Sequence, residues 1–158
     1  MKTLTLLSFV CFAFIADAQT NNTPGFSYKA SFSAIIVKDV AASSRWYQSV
    51  FGVTVKDHVA DEKNGYDIYI LESPYLTLEL LQLRGAVSKK DALAGKTDQT
   101  EVNGFFKIGF TVPDVDACLN HLRSLKIDVP QVYTDQKTKK KNFLITDPDG
   151  NLIQFFEQ

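Results

Sequence analysis

The sequence is poor in the residues that hold metals and disulfides. Of 158 residues, only Cys11 and Cys118 are cysteines and only His58 and His121 are histidines. Two thiols cannot build a disulfide framework or a multi-cysteine zinc site. Two imidazoles exclude a three-histidine metal site within one chain. Surplus basic charge is also missing: 17 Lys and Arg face 18 Asp and Glu, for a net charge of -1 with histidine neutral. A nucleic-acid binder driven by a basic surface needs excess cations to displace counterions, so no nucleic-acid partner is expected. What the chain does have is 45% apolar and 22% charged residues, the mix of a globular protein.

The first residues read as a leader rather than as part of the fold. Lys2 supplies a positive start, Leu4 to Ile15 is a mostly apolar run, and Ala16-Asp17-Ala18 places small residues where a signal peptidase needs them. A 12-residue run rises only about 18 Å as a helix, too short to span a bilayer. The expectation is a signal peptide over 1–18, cleaved after Ala18, and a periplasmic or secreted protein. No membrane span is expected after its removal. Cys11 lacks the small residues expected before a lipidated cysteine. Residues 19–29, polar and turn-rich at their start, read as a flexible lead-in. The mature chain would then carry one thiol, Cys118, and no internal disulfide.

The body repeats itself. Ser31 to Val37 reads as a strand, Asp39 as a helix cap, Val40 to Phe51 as a helix, and Gly52 as its stop. Strands beginning at Val53, Tyr66 and Tyr75 follow. Phe105 to Val112 opens the same order again. Asp114 caps a helix with Val115, Cys118, Leu119, Leu122 and Leu125 on one face, and strands near Val129, Asn142 and Leu152 follow. Val37-Lys38-Asp39-Val40 answers Val112-Pro113-Asp114-Val115 at an offset of 75. Asp147-Pro148-Asp149-Gly150 is a turn signal. The reading is an α+β fold of two βαβββ modules forming one cup-shaped mixed β-sheet with helices outside. Residues 30–158 form a single domain: module one 30–83, a linker over 84–103 with a helical turn from Ser88 to Ala94, and module two 104–158.

Trp46-Tyr47-Gln48-Ser49-Val50-Phe51-Gly52 after Val37-Lys38-Asp39, together with Asp147-Pro148-Asp149-Gly150-Asn151-Leu152-Ile153-Gln154, resembles the vicinal-oxygen-chelate superfamily. That family includes glyoxalases, bleomycin- and fosfomycin-resistance proteins and extradiol dioxygenases. The resemblance covers about residues 30–158. It implies one metal ligand on the first and one on the fourth strand of each module. Those positions fall on Phe32, Glu79, Lys107 and Gln154. Phe offers no lone pair, and a cationic Lys repels a divalent ion unless its pKa is strongly depressed. Two oxygen donors cannot fill the four to six positions of such an ion without several waters. The expectation is therefore no metal and no cofactor, with Phe32, Glu79, Lys107 and Gln154 binding a ligand instead. Lys107 either pairs with Glu79 in a shared cavity or runs its stem to the cavity mouth and water.

Other polar residues read more plainly. His58 lies in a polar, loop-like stretch and reads as solvated, His121 as a helix-rim residue, and Cys118 as a small core residue. Lys137 to Lys141 reads as a solvated hairpin. Tyr47, Tyr69, Tyr75 and Tyr133 supply enough aromatic surface to line a pocket, or core. No catalytic residue is singled out. The leading expectation is metal-independent binding of a small molecule. A metal-dependent lyase or dioxygenase of the lactoylglutathione lyase type, and a dimerising interaction module, stay open as alternatives, as does a homodimer.

Overall fold

Two helices of matching design anchor the two halves. In a computed structural model describing residues 31–97 and 106–158, α1 spans Val40–Phe51. Asp39 caps it by accepting from the Ala42 N–H, and Gly52 ends it in the left-handed region at φ 65°. That conformation costs glycine nothing because it has no Cβ. The helix of the second half, Val115–Ser124, starts the same way: Asp114 accepts from the Ala117 N–H with nearly the same backbone angles as Asp39. The cap pair expected from the repeat is therefore present in both modules.

The strands follow in chain order. Ser33–Ile36 is β1, Thr54–Asp61 is β2, Tyr66–Ser73 is β3 and Leu76–Leu83 is β4. A short α2, Lys89–Ala92, is capped by Ser88. Lys107–Val112 is β5, and after α3 (Val115–Ser124) come β6 Val132–Thr134, β7 Lys141–Thr146 and β8 Leu152–Glu157. All lie within one compact unit, Ser33–Gln158. The leader, the lead-in and the end of the linker fall outside the described residues.

Both βαβββ modules are present, each as a mixed sheet, but the single cup-shaped sheet is not. There are two open four-stranded sheets, ordered β1-β4-β3-β2 and β5-β8-β7-β6. In each, the first strand runs parallel to the fourth and the rest are antiparallel. Among the described residues, no strand of one sheet pairs with a strand of the other, so β1 and β5 remain edges. Side chains join the modules instead of a backbone ladder.

One hydrophobic cluster spans both modules. It holds Leu71, Leu78 and Leu80 from the first sheet, Phe143, Ile153 and Phe155 from the second, and the apolar faces of α1 and α3. Phe51 of α1 reaches across to Phe110 and Phe155, with ring centroids 4.9 and 5.9 Å away. The turn at 147–151 completes the junction. Tyr47 Oη donates to the buried Asp147 carboxylate at 2.8 Å. Asp149 accepts from the Lys38 N–H at 2.8 Å and from Ser43 Oγ at 3.1 Å. Burial, then the adjoining Asp147 carboxylate, pushes the Tyr47 hydroxyl far above its ordinary titration range.

β2 is longer than the sequence suggests. Lys56 to Asp61, read as loop-like, is strand, with His58 paired to Tyr69 and Asp61 to Tyr66. Its charged residues lack apolar alternation because β2 is an edge strand exposed along much of its length. Its regularity comes from the β3 ladder, not from burial.

Candidate functional site

Strand alternation sends one set of side chains into the core and the other to the opposite face. In β8, Ile153 and Phe155 enter the core, so Gln154 between them points to the far face. In β5, Ile108, Phe110 and Val112 are the better-buried residues, which leaves Lys107 on the far face with Gln154. Lys107 Nζ donates to Gln154 Oε1. Gln154 Nε2 in turn donates to Asn142 Oδ1 on β7 at 3.0 Å. A polar line of three side chains thus crosses three strands, with Gln154 only 7% exposed at its centre. The same face carries the exposed Phe156.

The first sheet has the corresponding arrangement around a carboxylate. Leu78 and Leu80 are core residues, so Glu79 faces away from them. It sits between Ala34 of β1 and Ile70 of β3 and is only 8% exposed. Burial holds its carboxyl above the ordinary value of 4.5. Phe32 lies just ahead of β1 and is exposed.

Lys107 does not pair with Glu79. Among the described residues no salt bridge joins them, and the lysine is committed to Gln154. Of the two alternatives, the Lys–Glu pair is not formed; Lys107 instead begins a Lys–Gln–Asn chain confined to the second module. Sequence alternation places each residue on a face but carries no information on reach between sheets.

The four positions also do not fit a divalent ion. Phe32 has no donor atom, Lys107 brings a cation, and the Gln154 oxygen already accepts from that cation. Glu79 is the one anionic donor of the four, and a four- to six-coordinate ion needs more. Among the described residues, no three His, Cys, Asp or Glu side chains converge.

Several polar contacts had no sequence signal. His58 Nε2 lies 2.7 Å from Asp67 Oδ1, and its ring stacks on Tyr69 at 4.0 Å. Their strand register brings them together, which composition cannot foretell. His121 Nε2 lies 3.0 Å from the Ser49 carbonyl and 3.2 Å from that of Val50, at the C-terminal end of α1. Cys118 packs against the core, and burial raises its thiol pKa. Asn142 carries no motif signal, although its alternation with core Phe143 places it on the Gln154 face. Of the tyrosines, Tyr47 is buried and Tyr75 is almost fully exposed.

Glu79 has a testable titration. Its folded-state pKa lies above the unfolded one, so this group favours the folded chain at low pH. That contribution is lost as pH rises through the folded value, which lies above 4.5. Glu79→Gln should therefore be more stable than the parent at pH 8, with the gap closing toward pH 4. Lys107→Met should leave the Glu79 carboxyl titration unmoved. Carboxyl-carbon NMR with urea unfolding at both pH values checks this; a Glu79 pKa that climbs in Lys107→Met would contradict the geometry.

Comparison with known proteins places this arrangement. Residues 30–155 match the family model of the Glyoxalase/Bleomycin resistance protein/Dioxygenase superfamily. The uncharacterized protein YaeR of Escherichia coli K12 is 25% identical over 126 residues, covering 79% of this chain and 92% of YaeR. Lactoylglutathione lyase of Schizosaccharomyces pombe is 26% identical over 146 residues, covering 84% of this chain but 48% of that enzyme. The chain thus spans about half the length of the yeast protein. In fold, the glyoxalase family protein from Enterococcus faecalis is similar with a TM-score of 0.68 at 19% identity, over 80% of this chain and 94% of that one. With the family model covering both modules, the chain belongs to the Glyoxalase/Bleomycin resistance protein/Dioxygenase superfamily.

Proposed function

We propose that this is an exported protein that binds a small, partly apolar molecule on its open sheet faces without using a metal ion. The observation that carries the reading is the Lys107–Gln154 hydrogen bond, which occupies two of the four positions where the family's metal enzymes place ligands. A lysine cation there opposes a second cation by direct repulsion. The binding part is supported by the makeup of the faces: exposed apolar side chains with a few buried polar groups set among them. Apolar walls supply burial and the few polar groups set orientation. The export part rests on Lys2, the Leu4–Ile15 run and the Ala16 and Ala18 pair.

The likeness to the yeast lactoylglutathione lyase favours a second reading, a metal-dependent lyase. A titration with the neutral fluorophore N-phenyl-1-naphthylamine separates the two. Saturable binding that is indifferent to EDTA, with no stoichiometric uptake of zinc, manganese, nickel or iron, is the expected result. Absence of binding overturns the proposal. So does a stoichiometric metal that switches on lyase activity toward lactoylglutathione.

A further inference from the structure

We propose that the open face of the first sheet takes a small organic cation with an apolar body, with Glu79 as its counter-ion. The inference rests on the small-molecule reading above and adds the charge class of the ligand. Glu79 is 8% exposed, yet no hydrogen bond or ion pair reaches its carboxylate from any described residue. Most of the Glu79 side chain is out of water, and its carboxylate, which keeps some contact with solvent, has no counter-charge among the described residues; a bound cation supplies one.

The rest of the face points the same way. Alternation places Asp57 and Glu72 on the Glu79 side of the sheet, through their registers with Ile70 and Thr77. The neighbouring lysine, Lys56, is held by Glu72 at 2.8 Å. An anionic ligand meets net negative charge here, and a neutral one leaves Glu79 uncompensated. The apolar body has its own place. Ile36, 55% exposed, pairs in register with Leu81, one same-face step of about 7 Å along β4 from Glu79. Val59, 47% exposed, continues the patch across Ile68. A body of roughly four carbons spans that step.

Three ligands sharing one apolar body test the proposal: 4-phenylbutylamine, 4-phenylbutanol and 4-phenylbutyrate, each competed against N-phenyl-1-naphthylamine. The amine should bind the parent protein roughly tenfold or more tightly than the alcohol, as expected for a hydrogen bond to a charged group, with the acid weakest. Glu79→Gln should erase the preference for the amine. Equal binding of all three, preference for the acid, or an amine preference that survives in Glu79→Gln overturns the inference while the naphthylamine result still upholds small-molecule binding. If the naphthylamine itself fails to bind, both fall. Sedimentation that shows a stable dimer, dissociated by Ile36→Asp and indifferent to the amine, assigns the face to a second copy and also overturns the inference.

Discussion

Asp147→Ala should cost about 3–5 kcal/mol of folding stability, because four donors lose their acceptor together. The Asp147 carboxylate accepts from Tyr47 Oη at 2.8 Å, from Asn151 Nδ2 at 2.9 Å, and from the N–H groups of Asp149 at 3.0 Å and Asn151 at 2.8 Å. Three of these bonds lie within the turn at 147–151, and Tyr47 ties α1 of the first module to the second. Asp147 and Asp149, which read from sequence as turn residues alone, are thus the polar half of the module junction. Tyr47→Phe keeps the ring and removes one donor, so it should cost about 1.5–3 kcal/mol, the range for a hydrogen bond to a charged group. Urea unfolding of both variants checks the ranking. A loss below about 1 kcal/mol for Asp147→Ala, beneath the usual range for such groups, would show that the contact is incidental.

Phe143→Ala should cost a similar amount, about 3–5 kcal/mol, by transfer and cavity terms together. Phe143 is fully buried in the second module and stacks on Phe155 with centroids 4.9 Å apart. Phe155 in turn stacks on Phe51 of α1. The consequence should therefore reach the first module, where the single tryptophan, Trp46, packs against the same core. Unfolding followed by Trp46 fluorescence and by far-ultraviolet circular dichroism should shift together, as a two-state unit requires. A Trp46 transition unmoved by Phe143→Ala would mean that the modules unfold separately. The same cavity lies beneath Asn142 and Gln154, so it should also loosen the polar line on the open face.

The helices were legible nearly to the residue. Asp39, Asp114 and Gly52 act within one helical turn of their own backbone, and such local hydrogen bonds and φ preferences depend little on the rest of the chain. The strands were legible where apolar alternation marks burial, as in β4 and β8. They were not legible in β2, where Lys56, Asp57 and His58 carry no such mark.

By itself, the sequence determined the two βαβββ repeats, their caps, and the faces on which Glu79, Lys107 and Gln154 stand. All of these follow from short-range periodicity and residue chemistry, whereas the family entered through the resemblance of its motifs. The tertiary structure alone decided that the sheets stay open and separate, that Lys107 turns to Gln154 instead of Glu79, and that Tyr47 finds Asp147. The last two join residues 47 and 100 positions apart. Such partners are chosen by how whole elements pack, and the alternation that assigns a side chain to a face is blind to which distant group that face will meet.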